Sequence, residues 1–162
     1  MKSYLLLATI FLTGCASNST LVKRAKLDSN MPLIITQQGT VPPNSAGGVA
    51  FRVDLVNTSD ETIKYVYLNV VAKNRVGDSV PDEISGKILQ TFRITGPIAP
   101  GGNARNRFGQ IGTHKNIWYN YAITCGGIVG IKIVYTNNEE KIIKDPFALM
   151  QNALCQNANG YI

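Results

Sequence analysis

An all-β domain built as an antiparallel sandwich is what this sequence predicts, and three observations predict it. Short runs alternate apolar with polar residues, the period of a half-buried strand. Clusters of Gly, Pro, Asn and Asp interrupt those runs every 8–12 residues or so. No long helical patterns alternate with the strands, as a parallel α/β fold would require. A length of 162 residues suits one domain with some tail. At 44% hydrophobic and 16% charged, the chain has enough apolar material to bury a core, which excludes wholesale disorder.

The elements follow in order. Leu33–Thr40 reads as a first strand, closed by Val41-Pro42-Pro43. Val49, Phe51, Val53 and Leu55 then alternate with Ala50, Arg52 and Asp54. Asn57-Thr58-Ser59-Asp60-Glu61 makes a turn, because Asn, Ser and Asp side chains satisfy local backbone groups. Along Ile63–Asn74, Val66, Leu68, Val70 and Ala72 share one face, with Tyr65, Tyr67, Asn69 and Lys73 on the other. Gly77-Asp78 and Pro81-Asp82 mark a loop. Ile88–Thr95 fits a strand interrupted by Gly96-Pro97 and Pro100-Gly101-Gly102. Arg105–Ile111 is a weaker strand, since Gly109 and Gly112 dilute it.

Further on, Ala122–Cys125 and Ile128–Tyr135 read as strands, with Val129, Ile131, Ile133 and Tyr135 on the face opposite Lys132. Asn137-Asn138-Glu139 turns the chain into Lys141–Lys144 as a hairpin. Phe147–Gln156 is the one expected helix, two to three turns long. Seven or so short strands point to a sandwich, with a β-barrel as the alternative.

The first residues carry an address. Lys2 precedes an apolar run over Leu5–Leu12, far short of the roughly 20 residues that span a bilayer, so the segment reads as a secretory signal. Leu12-Thr13-Gly14-Cys15 resembles the lipobox of bacterial lipoproteins. The resemblance implies a signal peptide over 1–14, cleavage before Cys15, and lipidation of Cys15 as the membrane anchor. With Ala16 after the cysteine, the family's sorting habit implies the outer membrane, on its periplasmic side. Residues 15–31 then form a flexible tether with a coil span of roughly 20–25 Å. In that tether Lys23, Arg24 and Lys26 read as solvated charges.

The body of the chain is expected to form one sandwich domain over 32–146, and roughly residues 33–145 of it also resemble the small immunoglobulin- or fibronectin-III-like domains of bacterial envelope proteins. The resemblance rests on Phe51–Ser59, Ile63-Lys64-Tyr65-Val66, Thr95-Gly96-Pro97-Ile98 and Trp118-Tyr119-Asn120. It implies an Ig-like antiparallel β-sandwich of about seven strands followed by a C-terminal helix and tail over 147–162. It implies no reaction.

The chemistry-bearing residues are few. With Cys15 lipidated, Cys125 and Cys155 remain, an even number in an oxidising compartment, and they are expected to form a structural disulfide. His114 is the only histidine and sits in Gly112-Thr113-His114-Lys115-Asn116. One histidine excludes a multi-histidine zinc site, and no Gly-x-Ser-x-Gly elbow presents a serine. Asp60-Glu61, Asp82-Glu83 and Glu139-Glu140 read as solvated turn charges rather than a glycosidase pair. No metal ligand set or cofactor is expected. Sixteen Lys and Arg against ten Asp and Glu give +6, a mild excess that does not by itself indicate nucleic acid.

Aromatic residues are the suggestive surface. Tyr65, Tyr67, Trp118 and Tyr119 are the candidate binding residues, with Arg105 and Arg107 as nearby cations. The expectation is a lipid-anchored envelope protein, not an enzyme, acting as a binding or structural module toward an envelope protein partner. Its alternatives are an accessory subunit of an envelope assembly or secretion machine and a small cell-wall hydrolase.

Overall fold

The computed structural model describes residues 31–106, 116–144, 156–157 and 160–161. These form eleven strands and, among the described residues, no helix. The chain runs β1 (Leu33–Thr40), β2 (Gly48–Val49), β3 (Phe51–Asn57), β4 (Ile63–Lys73), β5 (Leu89–Ile98) and β6 (Asn103–Asn106). It continues through β7 (Trp118–Tyr119), β8 (Cys125–Tyr135), β9 (Glu140–Ile143), β10 (Gln156–Asn157) and β11 (Gly160–Tyr161). The expected helix over Phe147–Gln156 lies almost wholly outside the described residues, and its last residue, Gln156, belongs to β10.

Two sheets carry the architecture. One has the order β11-β10-β1-β3-β6, the other β5-β4-β8-β9, and a two-stranded β2-β7 ribbon closes one end. All described pairings are antiparallel except β1 with β10, where Thr40 faces Asn157. The chain changes sheet between β3 and β4, between β5 and β6, and again before β8. These crossovers make an Ig-like sandwich.

Period-2 patterning builds the core between the sheets. Leu33, Ile35, Phe51, Val53 and Leu55 come from the first sheet, and Val66, Leu68, Val70, Phe92, Ile94, Ile128, Ile131 and Ile133 from the second. Phe51 links the layers through edge-to-face contacts with Phe92, at 5.8 Å between centroids, and with Trp118 at 6.1 Å. Such pairs contribute roughly 0.5–1.5 kcal/mol beyond burial alone.

Three expectations are corrected by irregularities in the ladders. Simple alternation put Val129 on the core face, but the β4–β8 register slips so that Asn69 faces Gly130 and Val70 faces Ile128. Val129 is the extra residue of this bulge and stands 37% exposed, while Ile128 fills the core. Ala122–Cys125 and Ile128–Tyr135 are also not separate, since β8 runs unbroken from Cys125. Finally, β5 passes through Gly96-Pro97 instead of ending there. Pro97 is tolerated because β5 is an edge strand, where a missing N–H costs no ladder bond. Gly96 is needed because a Cβ there would collide with the Ile63 carbonyl.

Gly126 is a point of close approach between core side chains. A Cβ there would lie 3.0 Å from Thr40 Cγ2 and 3.1 Å from Trp118 Cη2. Gly126→Ala should therefore destabilise the fold by about 1–3 kcal/mol through overpacking, whereas Leu68→Ala, at a fully buried site, should cost about 2–5 kcal/mol through a cavity. Denaturant titration of both variants checks the pair.

Candidate binding face

Because Val66, Leu68 and Val70 are consumed by the core, the alternate residues of β4 must face outward. Tyr65 and Tyr67 do so, half-buried on the outer face of the β5-β4-β8-β9 sheet. The register sets two rows across that face. Thr95, Tyr65, Val134 and Glu140 stand side by side, as do Arg93, Tyr67, Lys132 and Ile142.

The two tyrosines meet edge to face, their centroids 6.2 Å apart. Cations close over them. The Arg93 guanidinium carbon lies 4.8 Å from the Tyr65 centroid and Lys64 Nζ lies 5.5 Å from it. Lys132 Nζ lies 5.6 Å from the Tyr67 centroid. Lys132 also pairs with Glu140 at 2.7 Å, and Lys64 donates to Asn138 Oδ1 at 3.2 Å. Next to them Thr91 donates to Asn69 Oδ1 at 2.7 Å. Val129, Ile142 and Leu89 are exposed apolar residues of the same sheet. The arrangement presents hydroxyl, ammonium and guanidinium donors from a rigid sheet, with apolar residues around them.

Trp118 and Tyr119 are not part of this face. Trp118 is 0% exposed and packs on Phe51 in the core, so its ring cannot meet a partner. Its Nε1 has no hydrogen-bond partner among the described residues. Tyr119 lies half-buried opposite Gly48 in the β2–β7 ribbon, at the end of the sandwich opposite to Tyr65. Arg105 sits in β6 of the other sheet, in register with Asp54. His114 and Arg107 lie outside the described residues.

Sequence reasoning missed Lys64, Arg93 and Lys132 as members of the face. The signal was available for two of them. Arg93 occupies the outward phase of Thr91, Arg93 and Thr95, and Lys132 faces away from Ile131 and Ile133.

Among the acids, Asp82 is buried rather than solvated. Its Oδ2 accepts from the Ser85 N–H at 2.8 Å and the Ser85 hydroxyl at 2.6 Å, and its Oδ1 from the Tyr119 N–H at 2.6 Å. Burial pushes its pKa upward, but these donors and the Ile84 N–H outweigh burial and hold the carboxyl below its ordinary value. Asp82 thus fastens the β4–β5 loop to β7, a structural task that its donors fully occupy. Cys125 opens β8 and is buried, whereas Cys15 and Cys155 lie outside the described residues. Among the described residues no three His, Cys, Asp or Glu side chains are grouped to hold a metal ion.

No family model, no curated protein and no solved structure matches this chain.

Asp82 generates a pH dependence. A carboxyl whose folded pKa is depressed adds stability that is present above the unfolded value of about 3.9 and is lost as pH falls through the folded value. Asp82→Asn should cost about 2 kcal/mol at neutral pH. The melting-temperature gap from wild type should then close on acidification, in the window below the ordinary carboxylate range. A gap that stays constant with pH would show that the charge of Asp82 contributes nothing.

Proposed function

We propose that the protein is a lipid-anchored envelope protein whose sandwich acts as a non-catalytic binding module through the Tyr65–Tyr67 face. The observation that carries this reading is the face itself: two half-buried tyrosines held by Arg93, Lys64 and Lys132 on a rigid sheet. Tyr and Arg are the residue types that dominate protein-binding hot spots. Holding them in fixed rotamers lowers the ordering cost of binding.

The anchor agrees with the geometry of entry. Thr58 donates its hydroxyl to the Met31 carbonyl, and the Thr58 and Ser59 N–H groups donate to Pro32 O at 3.0 and 3.1 Å. The tether thus joins the sandwich at the end where the β3–β4 turn lies, and the tyrosine face runs along the side. Anchoring needs more than one acyl chain, since one gives only marginal binding.

The accessory-subunit form of this reading is favoured by the far end of the sandwich. Val76, Ile84 and Tyr121 are exposed there, on loops fastened by Asn74, Asp82 and the Tyr121–Ser45 hydrogen bond. Rigid loops with apolar tips suit a second contact within an assembly.

The same reading pairs Cys125 with Cys155. β10 starts at Gln156, the residue after Cys155, and reaches the end of β1 at Thr40, whose hydroxyl donates to Thr124 O at 3.4 Å.

Three outcomes are expected. Cys15→Ser should abolish incorporation of labelled fatty acid, because the thioether needs a thiol; equal labelling would remove the anchor. Digestion without reductant should release one peptide pair joining Cys125 and Cys155, and two free thiols in denaturant would break that assignment. A photo-crosslinker at Thr91 or Thr95 should capture a protein in intact cells, and Tyr65→Ser with Tyr67→Ser should abolish the adduct. That double variant should lose only about 1–2 kcal/mol of stability. Adducts that persist in a folded double variant would move the binding surface elsewhere.

A further inference from the structure

The partner of the tyrosine face can be named by its chemistry. Building on the binding-module reading, we infer that this face docks an acidic segment of another protein. Among the described residues, the charges of the two rows and of Lys64, which lies over Tyr65, are Lys64, Arg93 and Lys132 against one carboxylate, Glu140, which already pairs with Lys132. The surplus is positive, and the chain as a whole carries +6. A surface of this sign favours encounter with an anionic partner and disfavours a cationic one.

The geometry separates a polypeptide from other anions. Sugar rings would need open aromatic faces to stack on. Here Arg93 and Lys64 lie over the Tyr65 ring and Lys132 over the Tyr67 ring. What the face offers outward is donors, namely the cationic heads, the tyrosine hydroxyls and the exposed Thr91 and Thr95, and these suit carboxylates. A lipid headgroup layer would engage charge alone. This face instead sets Ile142 beside Lys132 in the same row and places Val129 and Leu89 on the same sheet, all exposed. Tyr and Arg beside aliphatic residues is the composition of a protein–protein contact. An acidic segment with interspersed apolar residues would satisfy both parts. Its carboxylates would meet Arg93, Lys132 and Lys64, and its apolar residues would cover Ile142.

The test uses the full lipidated protein reconstituted in phosphatidylcholine vesicles and a fluorescent poly-L-glutamate peptide followed by anisotropy. Binding should weaken steeply with salt. Arg93→Glu with Lys132→Glu should lower affinity by roughly tenfold or more. Lys87→Glu, in the loop at the far end of the sandwich, should leave it unchanged. Should the charge-reversed protein fail to fold, Arg93→Gln with Lys132→Gln removes the charge without adding carboxylates and gives the same readout in smaller measure.

Affinity indifferent to these variants would overturn the inference. So would polygalacturonate binding that is tighter than poly-L-glutamate binding and depends on Tyr67, or phosphatidylglycerol in the vesicles displacing the peptide. If cellular crosslinks from Thr91 and Thr95 persist while peptide binding ignores charge, the binding module stands and only its acidic partner falls. Loss of both removes the reading itself.

Discussion

The inward row of β4 is the constraint on which the rest depends. Ile63, Val66, Leu68, Val70 and Ala72 are all fully buried, and β4 is flanked by β5 and β8 along its length. A central strand with one face consumed has no freedom of register, because a one-residue slip would turn the whole row to solvent. The positions of Tyr65, Tyr67, Asn69 and Lys73 are then not independent choices. They inherit their outward placement and their neighbours Arg93 and Lys132 from the packing beneath. The candidate face is rigid because the core is.

Much of this was legible from alternation, and the failures have definite causes. The strand over Ile63–Asn74 was readable because apolar residues recur at period 2 between turn-forming clusters. Val129 misled because a bulge inserts one residue, and nothing in Gly126-Gly127-Ile128-Val129-Gly130 marks which residue is extra. Within β1 the register also slips between Ile35 and Gln37, which carries Gln38 and Thr40 into buried positions that polarity alone would place outside. Trp118 misled for another reason. It lies in a two-residue strand, too short to show a period, so its burial depends on Phe51 and on the space left by Gly126. Asp82 looked like a solvated turn acid because its partners, Ser85 and the Tyr119 N–H, are set by a tertiary contact with the β2–β7 ribbon.

The two ends of the sandwich differ in a way that matters for any anchored protein. One end receives the chain through Met31 and Pro32 and carries the β3–β4 and β8–β9 turns. The other, like those turns with Asn57 and Asn137, is closed by short-range side-chain bonds. Asn44 Oδ1 accepts from the Ala46 and Gly48 N–H groups, Asn74 Oδ1 from Val76 and Asp78, and Asn120 Oδ1 from Ala122. These Asx caps replace ladder bonds where strands end, so the loops keep one shape. Exposing Val76 and Ile84 on such loops forgoes the stabilisation that burying them would bring, roughly 1.5–3 kcal/mol for each side chain. The fold tolerates that loss because Trp118, Phe51 and the isoleucines of β8 already supply the core.

If the tyrosine face binds as proposed, its cations let the surface be both stable alone and ready to bind. A cation over an exposed aromatic ring contributes only about 0.5–1 kcal/mol, and an exposed ion pair such as Lys132–Glu140 contributes about as little. Redirecting Lys132 toward a partner's carboxylate therefore costs the free protein little. The rings meanwhile hold the long side chains near their bound positions, which trims the entropy that binding would otherwise consume. Glu140 has a consistent place in this balance. It occupies Lys132 when no partner is present, and an incoming carboxylate must compete with it. Competition of that kind lowers affinity for isolated charges and favours a partner that engages several cations together, as an extended acidic segment across Lys64, Arg93 and Lys132 would. Selectivity then arises from the spacing that β4 imposes on the three cations rather than from the strength of any one contact.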